Sequence, residues 1–194
     1  ATSAHGTAAT TGQAAAVSVG FAADEAASTV NLATGYTGAL TLDNIINATV
    51  TVGKASTSSG SITMTSAATD LTVNASGAFD LGTSNDIVSS DNLLDNVTMT
   101  GSLGIRYDDI TGTGIKNVSV SAGGALVVDA VTASLTELSS VSYAASGSSG
   151  SIAAGNIGSA TVTSLTVAES ATTTVTQGTI DALDIAGVTI TGAL

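Results

Sequence analysis

Leu94-Asp-Asn-Val-Thr-Met99 and Ile115-Lys-Asn-Val-Ser-Val120 are two copies of one six-residue pattern, apolar-x-x-apolar-x-apolar. Ile157/Ala160/Val162 and Ile180/Leu183/Ile185 carry it as well. Seven copies place their last apolar residue at Val50, Val73, Met99, Val120, Val141, Val162 and Ile185. The successive intervals are 23, 26, 21, 21, 21 and 23. A recurrence in that range marks a solenoid, in which one repeat cannot bury its apolar side without a neighbour stacked on it.

The closing step of two within the pattern is the strand period. In Thr49-Val-Thr51, Thr98-Met-Thr100, Ser119-Val-Ser121 and Thr161-Val-Thr163 one apolar residue faces inward between two outward hydroxyls. Thr and Val are both β-branched and suit strands. The step of three before it predicts a corner. Segments between copies, such as Ala144-Ala-Ser-Gly-Ser-Ser-Gly150, lack a helical stripe. Phe79/Leu81, Leu103/Ile105, Leu126/Val128 and Leu165/Val167 read as the next inward faces.

The expected fold is all-β, a parallel β-solenoid of about seven coils with 20–26 residues per coil. Stacked at the parallel-strand spacing, seven coils form a body roughly 35 Å long. Its narrow interior is expected to suit Ala, Val and Ile and to be overfilled by aromatics. Residues 41–194 form the solenoid body in this reading, with 1–40 an irregular N-terminal cap or assembly segment. Asp24–Ser28 reads as one helical turn, and Val30, a coil's length before Val50, as part of a degenerate eighth coil. The coil from Val141 to Thr161 is expected to be loose. Its motif copy, Leu135/Leu138/Val141, is one residue out of step, and its body is mostly Ser, Gly and Ala. Val188-Thr-Ile-Thr-Gly-Ala-Leu194 is strand-like to the last residue, which predicts an uncapped edge open to another copy of the chain.

Composition narrows the function classes. Of 194 residues, 15 are acidic and three basic, for a net charge of −12. Charged residues make up 9%, against about 25% in an ordinary soluble domain. Ser and Thr supply nearly a third of the chain, so the polar surface is mainly hydroxyl. Lys54, Arg106 and Lys116 cannot neutralise a phosphate track, which argues against nucleic acid as a partner. No run of 18 apolar residues predicts membrane insertion, and Ala1-Thr-Ser-Ala-His5 is not a signal peptide. Low charge and high Thr/Ser/Gly content favour an extracellular or cell-surface location. Without Cys there are no disulfide staples or zinc-thiolate sites.

Catalytic chemistry finds little material. His5 is the single histidine and sits in a Thr/Ala/Gly-rich stretch. Parallel β-helix enzymes that cleave pectin need carboxylates beside Arg or Lys, with aromatics to stack on sugar. Five Tyr and Phe with no Trp fit that poorly, so the chain reads as a non-enzyme. Asp86, Asp91 and Asp95 lie among Asn residues, and Asp108 and Asp109 follow one coil later. Such oxygens suit calcium, making these five candidate metal ligands. The Gly-Asp nonapeptide and the EF-hand loop are both absent, and Asp/Asn at coil corners also make turns. Asn47, Asn74, Asn96 and Asn117 fit the glycosylation acceptor, though Asn96 and Asn117 also fit a corner ladder. The Thr-x-Thr rows suggest an ice-binding face, interrupted by Asn74 and by Asp184/Ala186.

Ala160-Thr-Val-Thr-Ser-Leu-Thr-Val167 and Val188–Leu194, with the near-absence of Cys, Lys and Trp, resemble bacterial S-layer and related RTX-associated secreted β-solenoid proteins. The resemblance is of repeat style and covers about residues 40–194. It implies an extracellular structural role, a homopolymeric lattice or filament, and divalent ions between acidic subunits. Composition and repeats therefore support a self-assembling filament or surface-layer subunit. An adhesin stalk that binds a glycan or cell-surface partner and an ice-binding solenoid are the alternatives.

Overall fold

The structure is a computed structural model that describes residues 16–33, 35–53, 60–131 and 137–193. His5, Lys54, Leu135 and Leu194 lie outside the described residues. Every regular element among them is a strand: β1 (Val17–Leu32), β2 (Leu40–Val52), β3 (Ile62–Thr65), β4 (Asp70–Ala75), β5 (Phe79–Asp80), β6 (Ile87–Ser89), β7 (Asn96–Gly101), β8 (Ile105–Thr111), β9 (Asn117–Ala122), β10 (Leu126–Val131), β11 (Ser140–Ala145), β12 (Ile152–Gly158), β13 (Leu165–Gln177), β14 (Ile180–Asp181) and β15 (Ile185–Ala193). All strand pairs are parallel. The chain is a β-solenoid of about seven turns.

One sheet runs the whole length in the order β1-β2-β4-β7-β9-β11-β13-β15. Its central inward column is Val30, Val50, Val73, Met99, Val120, Tyr143, Glu169 and Ile190. Ala48, Leu71, Val97, Val118, Val141, Val167 and Val188 form the column beside it. Two shorter ladders close each coil. Phe79, Ile105, Leu126, Ile152 and Val175 stack on one side. On the other, Leu40, Ile62, Ile87 and Ile110 stack, followed by Val131, Ile157 and Ile180.

The step of three in the motif turns the corner. Ala68, Leu94, Ile115, Leu138 and Val162 are all buried just ahead of their strands, and Ile45 is buried at the bend within β2. The backbone is left-handed beside several of them, at Asn44 (φ 56°), Ala67 (φ 61°) and Asn92 (φ 60°), a region where Asn is one of the better-tolerated residues. At the far end of each strand, hydroxyls serve the next corner. Ser76 Oγ donates to the Gly53 carbonyl at 2.9 Å and Ser102 Oγ to the Ser76 carbonyl at 2.6 Å. Glycine is needed where coils touch by backbone: a Cβ on Gly155 would collide with the Asp129 carbonyl.

Several sequence expectations are corrected. The last three members of the central column are Tyr143, Glu169 and Ile190, not Val141, Val162 and Ile185. Val162 is buried in the turn before β13, and Leu183 is exposed. The Val141–Thr161 coil is not loose, because β11 and β12 are each paired on both sides. Asp24–Ser28 is extended within β1, not helical. Leu103 is exposed. Aromatics do not overfill the interior: Tyr36, Tyr107, Tyr143 and Phe79 are its largest fully buried side chains. From β4 to β11 the adjoining inward corner column is small, running Ala75, Gly101, Ala122, Ala145, which leaves room for Phe79, Tyr107 and Tyr143.

The register sets apart two residues that the motif treats alike. Ile115→Ala is expected to cost about 3 kcal/mol, and Leu183→Ala within about 0.5 kcal/mol. Urea unfolding followed by far-UV circular dichroism measures both.

Candidate functional site

The outward side of the long sheet is built of three columns. The first is Ala27, Asn47, Asp70, Asn96, Asn117, Ser140, Thr166 and Gly187. Thr29, Thr49, Thr72, Thr98, Ser119, Ser142, Ala168 and Thr189 form the second. The third is Asn31, Thr51, Asn74, Thr100, Ser121, Ala144, Ser170 and Thr191. Asp70 is the one ionisable residue in the three columns. Hydroxyls repeat at about 4.8 Å across strands and about 6.6 Å along them. Thr161 and Thr163 lie in a turn, and the face instead ends at Thr189 and Thr191. Asp184 and Ala186 therefore do not interrupt it.

The glycosylation candidates lie on this face, and the first column is cross-linked. Asn117 Nδ2 donates to Asn96 Oδ1 at 2.8 Å, and Asn96 Nδ2 to Asp70 Oδ1 at 2.8 Å. Asn47 Nδ2 donates to the Ala26 carbonyl at 2.7 Å. Three of the four amide nitrogens thus hold coils together. The fourth candidate, Asn74, is exposed and accepts from Thr100 Oγ1 at 3.3 Å. It borders a depression of about 400 Å³ lined by Thr51, Asn74–Ser76 and Thr100–Ser102, with no charged or aromatic side chain.

The acidic residues gather off this face. Asp86, Asp108 and Asp129 interact across neighbouring coils. Partial burial raises the Asp108 carboxyl above its usual range, as do a hydrogen bond shared with Asp129 and the charges of Asp129, Asp86 and Asp109. Asp91 and Asp95 stand apart from that row. Asp91 Oδ1 accepts from Ser89 Oγ at 3.3 Å, while both Asp95 oxygens accept from Lys116 Nζ at 3.0 Å. Lys116 also reaches Glu137 at 3.6 Å. Asp109 Oδ1 accepts its own coil's Ile110 amide at 2.7 Å. The five carboxylates read as one candidate calcium group are therefore divided among separate partners. Among the described residues no three carboxylates or imidazoles converge on one point.

The two ends of the long sheet differ. At the β1 end the inward residues Val30 and Leu32 are buried. At the β15 end Leu183, Ile185 and Val188 are 73, 46 and 44% exposed. β15 pairs with β13 on one edge, and its other edge has no strand partner among the described residues.

The sequence reading passed over one residue. Glu169 occupies the central inward column, 2% exposed, with neither carboxyl oxygen hydrogen-bonded. Burial pushes its carboxyl up from 4.5 to about 7. The alternation Leu165, Val167, Glu169, Ala171 was the available signal, since a strand sends all four to one side.

No protein-family model matches the chain, and neither a curated protein nor a solved structure resembles it significantly.

The stacked carboxylates repel one another. Asp108→Asn is expected to raise the thermal midpoint by about 2 °C at pH 7 and low salt. The gain disappears in acid, where the wild-type carboxyls are protonated, and shrinks in 0.5 M salt. Differential scanning calorimetry at the two pH values and two salt levels checks this.

Proposed function

We infer that the chain is a non-enzymatic structural subunit of an extracellular or cell-surface assembly, joined to copies of itself through the end of the solenoid. The bare β15 end carries this reading. A parallel strand edge with no strand partner among the described residues, beside exposed Leu183, Ile185 and Val188, is a template for strand addition. β1 and β15 sit at opposite ends of one all-parallel sheet, so copies joined head to tail would continue the sheet without reversing a strand. Rigid, short side chains lose little entropy when such surfaces become ordered.

Charge shapes the assembly. A net charge of −12 opposes contact between acidic faces, while the Thr/Ser/Asn face carries little repulsion. Lateral contact through that face would turn filaments into bundles or layers. Calcium bridging of the acidic sides belongs to the same reading, as does a glycan or cell-surface partner for an adhesin-like stalk.

A second reading has its own observation. The two Thr-rich outward columns form a flat, regular, nearly uncharged array, the kind of surface an ice-binding solenoid presents. Thermal hysteresis in a purely monomeric preparation would favour that reading.

Sedimentation velocity and electron microscopy, with and without calcium, test the assembly. End-to-end oligomers that lengthen with concentration are expected. Val188→Asp is expected to reduce them at least tenfold, because it places a charge at the exposed end of the inward apolar column that the next copy would cover. Monomers under every condition would overturn the proposal.

A further inference from the structure

Glu169 is an anomaly in the core. Its column is otherwise Val, Met, Tyr and Ile, and it lies between Tyr143 on β11 and Ile190 on β15. Its two oxygens are buried without a hydrogen-bond partner. Tyr143, its neighbour in the column, accepts from Tyr107 Oη at 3.2 Å, and its hydroxyl makes no hydrogen bond to the carboxyl. Leaving a neutral acid unpaired in such a place is costly. Leaving a charged one there costs far more, so the group either takes up a proton or finds water.

The surrounding elements turn no counter-charge toward Glu169; Arg106 of β8 alternates to the outward side of its strand, opposite buried Ile105 and Tyr107. β11 contributes Tyr143, and behind it Tyr107 and Asp109 of β8, all neutral or negative. β13 has no other ionisable residue, and β12 and β15 have none. From β14 and its turn come Asp181 and Asp184, both exposed and both acidic. Ionisation of Glu169 is therefore unrelieved by any counter-charge, and the strand that covers it on the side of the last coil is β15.

The covering element is itself partly open to solvent. In the last coil Ile185 and Val188 are half-exposed and Ile190 only partly buried, so little apolar surface holds β15 down. Its ladder to β13 is irregular, with register shifts between Leu165 and Thr166 and between Ser170 and Thr174. We propose that Glu169 is a proton-operated latch for the last described coil: protonated, it lets β15 lie closed on β13, and ionised, it releases β15 so that water reaches the carboxylate.

The direction follows from linkage. A carboxyl raised in the folded state favours the closed form fully in acid. That advantage falls as pH rises from about 4.5, the unfolded value, to about 7 and is gone above it. The latch acts within a single chain, so it does not depend on end-to-end assembly.

The chain has three glutamates, Glu25, Glu137 and Glu169, so δ-¹³C-glutamate labelling gives a spectrum assignable by substitution. One carboxyl resonance is expected to titrate near pH 7 and to be missing in Glu169→Gln. The methyl resonances of Ile185, Val188 and Ile190 are expected to shift with the same midpoint in the wild type. They should be insensitive to pH across that range in Glu169→Gln. Glu169→Met, which copies Met99 of the same column, should also hold the coil closed at every pH and guards against a fold defect of the amide. A Glu169 carboxyl that titrates in the ordinary range would overturn the proposal. So would β15 methyls that stay still while Glu169 ionises, or that move equally in all three proteins.

Discussion

Coil-to-coil backbone pairing in strict parallel register is the constraint on which the rest depends. Parallel strands about 4.8 Å apart bring each side chain against its own equivalent in the coils above and below. Every column is thus a row of near-identical neighbours, and its character is multiplied along the axis. A Val column becomes a continuous apolar seam, an Asn column a chain of side-chain hydrogen bonds. An Asp column becomes a line of repulsion, as at Asp86, Asp108 and Asp129. The low content of charged residues follows from this geometry. Outside the corners, where Lys116 offsets Asp95, a charge repeated in register has only its own kind to face.

The same rule explains how polar residues are divided. Asn tolerates its own kind because an amide both donates and accepts. Asn117 to Asn96 to Asp70 is therefore a stable row on the sheet face. Ser is used where the chain leaves the sheet, with the hydroxyls of Ser76, Ser102 and Ser146 on carbonyls of the previous coil. Carboxylates are placed mainly at corners and on the shorter ladders, where they accept local donors, as Asp80 does from the Gly82 amide. What remains on the broad face is hydroxyl and methyl, a nearly neutral surface on a strongly acidic molecule.

The fold was legible because the apolar-x-x-apolar-x-apolar pattern encodes a corner followed by a strand. From Val50 through Val120 the pattern and the stacked column coincide. They part at Val141 because Tyr143 takes the next place, and an aromatic does not look like a continuation of a Val/Met series. They part again after Val162, where the approach to β13 is longer and the ladder resumes at Val167 and Glu169. Glutamate at an inward position breaks any search for apolar periodicity, so Glu169 hid the register that its neighbours would have revealed. The buried aromatics were misjudged for a related reason. Interior width depends on the small residues of a neighbouring column, which only the register identifies. The grouping of the carboxylates was not legible, because proximity in sequence says little about proximity around a coil. Asp91 and Asp95 turn a corner away from Asp86, while Asp129, far later in the chain, comes into the same row.

Coil length is not constant. The central column takes short steps from Val30 to Val50 and from Met99 to Val120, and longer ones from Val73 to Met99 and from Tyr143 to Glu169. Yet between β2 and β11 the paired segment of the long sheet is always six residues. The surplus is absorbed at the corners. The molecule therefore behaves like a ruler whose graduations are strands: adding a coil lengthens it by one fixed increment, while lengthening a corner adds nothing to the scale. Corners are free to diversify, or to carry grafted peptides, without altering the pitch of the face beside them.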